Sequence, residues 1–360
     1  MERSQPDKEL ARLAPLVADI YSVDAVYRHG GQVEFSLTAR YERSRSVKML
    51  KDRLEMAGYD YKLSDSGDGP LLLTIDPKRK LRIPWVNVAL FLITLATVYI
   101  VPVYWRYGSW AATKQQLLNG AGIEFTLAMI SILFVHEMGH FVAGRRRNIV
   151  TSWPYFIPAP TLIGTFGAVI KSKSPFWNRR DLIEVGAAGP IAGWIVALIW
   201  LAVGLAQSRM VPTSQIPIGE LAFSLDGESI LMRLLVPLLV GDPMNGWSFI
   251  LSEGAFAGWV GMLVTAINLL PIGQLDGGHI TYGLVRERQK TLGWVATALL
   301  IALGFQSSSW WVFAAFGLVF GVAHPPTMQD ERVPSRISQV MGVAALIILI
   351  LSFTPVPFRA

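Results

Sequence analysis

Apolar Val33, Phe35 and Leu37 alternate with polar Gln32, Glu34 and Ser36, the period-two pattern of a strand with one buried face. His29-Gly30-Gly31 precedes this run and would turn a hairpin from Ala25-Val26-Tyr27. From Ser46 the spacing changes: Val47, Leu50, Leu54 and Ala57 recur at helical intervals, and Gly58 is placed to end that helix. Tyr59, Tyr61 and Leu63 alternate again, and a polar, glycine-bearing turn from Ser64 to Pro70 leads into a further apolar run beginning at Leu71. With a helix expected around residues 10–20, residues 1–80 read as a compact α+β domain without a His/carboxylate cluster.

After Pro84 the pattern is different. Apolar runs at 85–105, 125–135, 182–206 and 247–270, then shorter ones at 292–305, 310–322 and 340–353, have the character of membrane spans, with aromatic residues at both ends of the first. This predicts a polytopic α-helical core of about six to seven helices. It would comprise a catalytic transmembrane core over 84–290, with a re-entrant β segment near 151–172 and an external loop over 207–246. C-terminal transmembrane helices would occupy 291–360.

Composition agrees, with 52% hydrophobic and 16% charged residues among 360, too apolar for an ordinary soluble domain. The net charge of +6 gathers in short clusters beside the apolar runs, so it reads as a topology signal and argues against nucleic acid. Threading the spans alternately puts Lys78 to Arg82, Arg145 to Arg180, Arg286, Arg288, Lys290, Arg332 and Arg336 on one side. By the positive-inside rule that side, with the N-terminus, is cytoplasmic. The start of the chain has neither the apolar core of a secretory signal nor the character of a transit peptide. A multi-pass protein of a prokaryotic cytoplasmic (inner) membrane is the expectation. With no cysteine, any zinc must be held by His and carboxylate.

The chemistry begins at His136-Glu137-Met138-Gly139-His140. Residues four apart share a helix face, so both imidazoles can reach one metal while Glu137 stands beside it as general base. The motif is expected at the end of the second span. Two His and a Glu beside hydrocarbon would cost several kcal/mol without a shared partner, which weakens the reading of a merely polar helix end. Hydrolytic zinc takes a third protein ligand and keeps an open position. Asp276, in Asn268-Leu269-Leu270-Pro271-Ile272-Gly273-Gln274-Leu275-Asp276-Gly277-Gly278-His279, falls at the same expected depth. Pro271 breaks the preceding helix there. The bland alternative for Asp276 is a helix cap.

Together the two motifs resemble the site-2 protease family of intramembrane zinc metalloproteases, which pairs HExxH with N-x-x-P-x-x-x-L-D-G on a later helix. The resemblance covers roughly residues 125–282. It implies that His136, His140 and Asp276 bind Zn2+, that Glu137 activates water, and that Asn268 positions substrate or stabilises the oxyanion. Gly164-Thr165-Phe166-Gly167-Ala168-Val169-Ile170 is too short and broken to span, and irregular backbone must be buried in protein or line a cavity. In the family such a stretch forms a re-entrant sheet by the active site, so Gly164, Thr165, Phe166 and Gly167 are candidate substrate contacts through an open strand edge. That stretch and Gly189-Pro190-Ile191-Ala192-Gly193 also resemble the branch related to the chloroplast yellow-green gravitropism proteases. The long acidic N-terminal region of the plant proteins and a PDZ-like insertion are not seen.

Gly189 and Gly193 form a small-xxx-small pattern, read as close helix packing. His279 is read as capping or supporting Asp276 more than as a ligand, His324 as interfacial, and His29 as a turn residue. The expected function is zinc-dependent endoproteolysis within the transmembrane segment of a membrane-protein substrate, the lipid bilayer being the other partner. The competing class is a non-catalytic helix-binding pseudoprotease or a metal carrier.

Overall fold

The computed structural model describes residues 13, 16–18, 20–29, 32–65, 69–79, 84–147, 149, 151–172, 176–216, 222–223, 228–241, 246–327 and 329–357. The chain divides into two compact units. One comprises Met1–Trp85, Gly144–Trp153 and Lys171–Pro175; the other comprises Val86–Ala143, Pro154–Ile170 and Phe176–Ala360.

In the first unit, β1 (Tyr21–His29), β2 (Gln32–Ala39), β3 (Tyr59–Ser64) and β4 (Leu71–Arg79) form an antiparallel sheet in the order β1-β2-β4-β3, with helix α1 (Arg43–Ala57) between β2 and β3. The alternation sets the register. Val33, Phe35 and Leu37 lie opposite Ile75, Leu73 and Leu71, so one face is apolar. Leu50 and Leu54 of α1 are fully buried, as are those six strand residues to within 2%. Gly58 ends α1 at φ 75°, a left-handed conformation that glycine adopts without steric cost. The helix expected around residues 10–20 and the Gly30-Gly31 turn fall largely outside the described residues.

Among the described residues three helices are long and apolar enough to cross a membrane, α2 (Trp85–Tyr107), α4 (Ile123–Arg146) and α5 (Arg179–Gln207), and all but the ends of the first two belong to the second unit. A short helix, α3 (Trp110–Leu118), lies between the first two. The second helix does not stop at the HExxH motif as expected; it runs on to Arg146, and Arg145 and Arg146 in its last turn complement the carbonyl end of the dipole. The expected span at 247–270 is also divided. Trp247–Ile250 is strand β9, flanked by β7 (Arg209–Pro212) and β8 (Ala222–Phe223) in the order β7-β9-β8. Ser252 then caps helix α7 (Glu253–Asn268) by accepting from the Ala255 N–H.

The remaining helices are α6 (Ile230–Leu239), α8 (Asp276–Val285), α9 (Arg288–Leu303), α10 (Ser309–Phe320) and α11 (Arg336–Ser352). Four of the seven apolar runs thus form helices of 16, 16, 12 and 17 residues. At 1.5 Å per residue these fall short of a hydrocarbon core of about 30 Å.

Helices α4 and α7 are locked at their N-terminal ends. Glu253, in the first turn of α7, accepts from the Gly122 and Phe125 amides at 3.1 and 3.4 Å, while Glu124, in the first turn of α4, accepts from the Gly254 amide at 3.1 Å. Each helix thereby caps the other's orphan N–H groups. At the far end of α8, Asp330 receives Arg286 Nε at 3.0 Å, and its carbonyl receives Arg179 Nε at 2.8 Å. Arg179 Nη1 also donates to the Gly283 carbonyl at 3.3 Å, so the C-terminal end of α8 is tied to the start of α5.

Candidate metal centre

His136 and His140 sit one turn apart on α4 and are 5% and 9% exposed. Their Nε2 atoms are 3.2 Å apart, and Asp276 Oδ2 lies 3.4 Å from the first and 3.3 Å from the second. A zinc ion with ligand bonds of about 2.0–2.1 Å in tetrahedral geometry spaces its ligands by roughly 3.3–3.4 Å. The three donors therefore form a face of the right size for such an ion. Among the described residues this is the one group of three His or carboxylate side chains able to hold a metal. His140 Nδ1 donates to the Val185 carbonyl of α5 at 2.8 Å, which leaves Nε2 as the bare nitrogen facing Asp276.

The loop that delivers Asp276 is itself pinned. Pro271 follows α7, the Gly273 amide donates to the Val322 carbonyl at 2.8 Å, and the buried Gln289 amide donates to the carbonyls of Pro271 and Val322 at 3.0 and 2.9 Å. Asp276 opens α8, where a carboxylate also gains from the helix dipole. A side chain at Gly277 would lie 1.9 Å from the Leu269 carbonyl oxygen, so only glycine lets α8 start this close to the end of α7.

Glu137 is 5% exposed. Its carboxylate accepts a hydrogen bond from the Ile170 amide, just past β6 (Thr165–Val169). That strand pairs antiparallel with β5 (Tyr155–Pro158), and among the described residues its other edge has no strand partner. The four expected substrate contacts differ in what they do. Gly164 turns inward at φ 76°, where a Cβ would come within 2.5 Å of the Thr97 carbonyl oxygen on α2. Thr165 is buried, its hydroxyl donating to the Ile157 carbonyl at 2.8 Å and accepting from the Gly167 amide at 2.9 Å. Phe166 is 72% exposed, and nothing lies within 4 Å of where a Gly167 Cβ would stand. Asn268 is half-buried as the last residue of α7, and its side chain makes no hydrogen bond to a described residue.

The structure also brings together residues that sequence reading left apart. His279 Nδ1 and His324 Nε2 are 2.6 Å apart, and His324 Nδ1 donates to the Pro325 carbonyl at 2.5 Å. That donation makes His324 Nε2 an acceptor and His279 Nδ1 the donor. His279 is therefore paired with His324 and stands outside the metal group, and His324 supports α8. Burial and the neighbouring His324 push the His279 imidazole down to about 3, so it stays neutral. The side chain of His29 lies outside what the structure describes.

These features define a metal centre of the HExxH type, two histidines one turn apart on a helix with an aspartate from a later one. Residues 124–307 match the model of peptidase family M50, and the chain belongs to that family. It is 30% identical, over 94% of its own length and 63% of the relative's, to a protein of Arabidopsis thaliana named probable zinc metalloprotease EGY2, chloroplastic. The Oryza sativa subsp. indica protein of the same name is 29% identical over 94% of this chain and 64% of its own. The Arabidopsis protein named probable zinc metalloprotease EGY1, chloroplastic, is 28% identical over 66% of this chain. The chain thus spans a little under two thirds of the first two relatives, and its likeness to the expected branch is established. Zinc is the metal that the relatives' names and the His-His-Asp group agree on. No solved structure matches the chain.

Proposed function

We propose that this protein is an intramembrane endopeptidase that cuts a peptide bond within the transmembrane segment of a membrane-protein substrate. The observation that carries the reading is the meeting of three elements: the His136, His140 and Asp276 donor triangle, the Glu137 carboxylate, and the open edge of β6 that reaches Glu137 through the Ile170 amide. A substrate helix must unwind before it is cut. An open strand edge can hold the unwound segment by main-chain hydrogen bonds beside the metal.

His136, His140 and Asp276 would hold zinc, which when bound supplies Lewis acidity toward water and the scissile carbonyl. Glu137 would take the proton of the attacking water and pass it to the departing amine. Asn268 would face the oxyanion or the substrate backbone with its amide. Phe166 would contact the substrate's apolar side chains. The clustering of basic residues supports a site near the cytoplasmic face and a cytoplasmic N-terminal unit. The relatives carry chloroplast names, and nothing in the comparisons supports the prokaryotic cytoplasmic membrane expected from the sequence.

Glu137→Gln tests the assignment. It should keep about one zinc per chain and lower cleavage of a single-span reporter by at least about a hundredfold, the usual scale for removing a general base. Cleavage at the wild-type rate would sink the proposal. Exchangeable metal at several positions, in place of one tight zinc lost in His136→Ala, would favour the metal carrier.

A further inference from the structure

We propose that α5 is the third wall of the metal centre, and that Gly189 and Gly193 are positioning residues whose missing side chains are the space the two ligand imidazoles occupy. This rests on the zinc reading of His136, His140 and Asp276. The Gly189-xxx-Gly193 pattern reads from sequence as ordinary helix packing, but the neighbours of the two glycines are the ligands themselves. A Cβ at Gly189 would stand 2.1 Å from His140 Nε2 and 2.3 Å from Cδ2, inside the ring's own space. A Cβ at Gly193 would stand 2.8 Å from His136 Cβ and 3.0 Å from its Nδ1.

The same face of α5 supplies more than room. The Val185 carbonyl, one turn before Gly189, takes the Nδ1 proton of His140 at 2.8 Å and fixes the ring's direction. Between these positions, a Cβ at Gly186 would lie 3.1 Å from His279 Cβ and 3.4 Å from the Asp276 carbonyl oxygen, so α8 rests on this stripe as well. Gly139, inside HEMGH, faces back toward α5, where its Cβ would be 2.6 Å from the Ala188 carbonyl oxygen. Backbone meets backbone at this point, and a side chain at Gly189 or Gly193 would take space that the two imidazoles occupy. The stripe therefore acts on the reaction through the metal ligands, without touching substrate.

Gly261 on α7 provides the control. Its Cβ would press on the same two helices without meeting a ligand, at 2.9 Å from Ile132 of α4, one turn before His136, and at 3.1 Å from Ala197 of α5, one turn past Gly193. The measurement is zinc affinity by chelator competition on the full chain in detergent, with the absorption spectrum of the cobalt(II) form and the thermal stability of the metal-free form. Removing groups that orient metal ligands costs about 10–100-fold in affinity. Gly193→Ala should weaken zinc by that much and alter the cobalt spectrum, Gly189→Ala should weaken it by more than about 100-fold, and Gly261→Ala should stay within about threefold of wild type. Metal-free stability of Gly193→Ala and Gly261→Ala should fall alike.

Zinc affinity within threefold of wild type in both Gly189→Ala and Gly193→Ala would overturn the proposal, as would equal zinc loss in Gly193→Ala and Gly261→Ala. If Gly189→Ala does not fold, the comparison of the other two decides it. His136→Ala separates the two levels of the argument. Zinc retained there removes the ligand assignment itself, whereas zinc lost there but kept in the glycine variants removes only the role of α5.

Discussion

At the scale of single residues, the centre depends on which nitrogen carries a proton. His140 gives its Nδ1 proton to Val185 and so presents Nε2; His279 gives its own to His324. The second pair has a measurable consequence. Folded, His279 remains neutral down to about pH 3, whereas the unfolded chain protonates it near 6.5. Between those values the unfolded state binds more protons, so this group makes stability fall as pH is lowered through the window. His279→Gln keeps an N–H for His324 and removes the titration. Its unfolding temperature should therefore decline less than that of wild type between pH 6.5 and 4.5. Identical pH profiles would show that His279 is not held neutral. Nothing in the sequence suggests this pair, because the partners are 45 residues apart and each is an ordinary lone histidine until the fold joins them.

At the scale of elements, periodicity served the strands well and hydropathy served the helices less evenly. Val33, Phe35 and Leu37 could only be a one-faced strand, and the sheet register follows from them. The run at 247–270 is apolar throughout, so hydropathy merges strand β9 with helix α7; the division is written in Ser252-Glu253-Gly254, a helix start buried inside an apolar stretch. Helix α6 was missed because its ten residues, Arg233 and Pro237 among them, lie within a stretch that reads as a polar, glycine-bearing loop; Met232 and Val236 are buried and Leu234 and Leu238 are 61% and 77% exposed. The hairpin β5-β6 was legible as irregular apolar backbone, but not which of its residues face out. Thr165 and Gly164 hold the hairpin together, which leaves Phe166 as the side chain free to meet a substrate. Phe166→Ser should change stability by no more than about 0.5 kcal/mol, as for surface substitutions generally, and lower kcat/KM for an apolar single-span substrate. An unchanged kcat/KM with intact zinc would remove Phe166 from the substrate path.

At the scale of the whole chain, every group of the centre, from His136 to His324, belongs to the second unit, while the first unit carries its own apolar core of Phe35, Leu37, Leu50, Leu54, Leu73 and Ile75. In the sequence the N-terminal stretch has alternating strands and no His/carboxylate cluster, whereas both metal motifs lie beyond Pro84. That distribution argues that the two units draw on different sources of stability. Zinc binding adds RT ln(1 + [Zn]/Kd) to the unit that holds the ligands, about 2.7 kcal/mol at a hundredfold excess over Kd. The N-terminal sheet relies on packing, and Leu73 is fully buried in it. Leu73→Ala should cost that unit about 2–5 kcal/mol, the range for opening a cavity in a packed core. The full chain carrying Leu73→Ala should still hold one zinc that resists the same chelator concentration as wild type. A variant that unfolds its N-terminal unit and loses zinc in step would make the N-terminal unit a determinant of the metal centre, against the separation of cores and ligands that the fold displays.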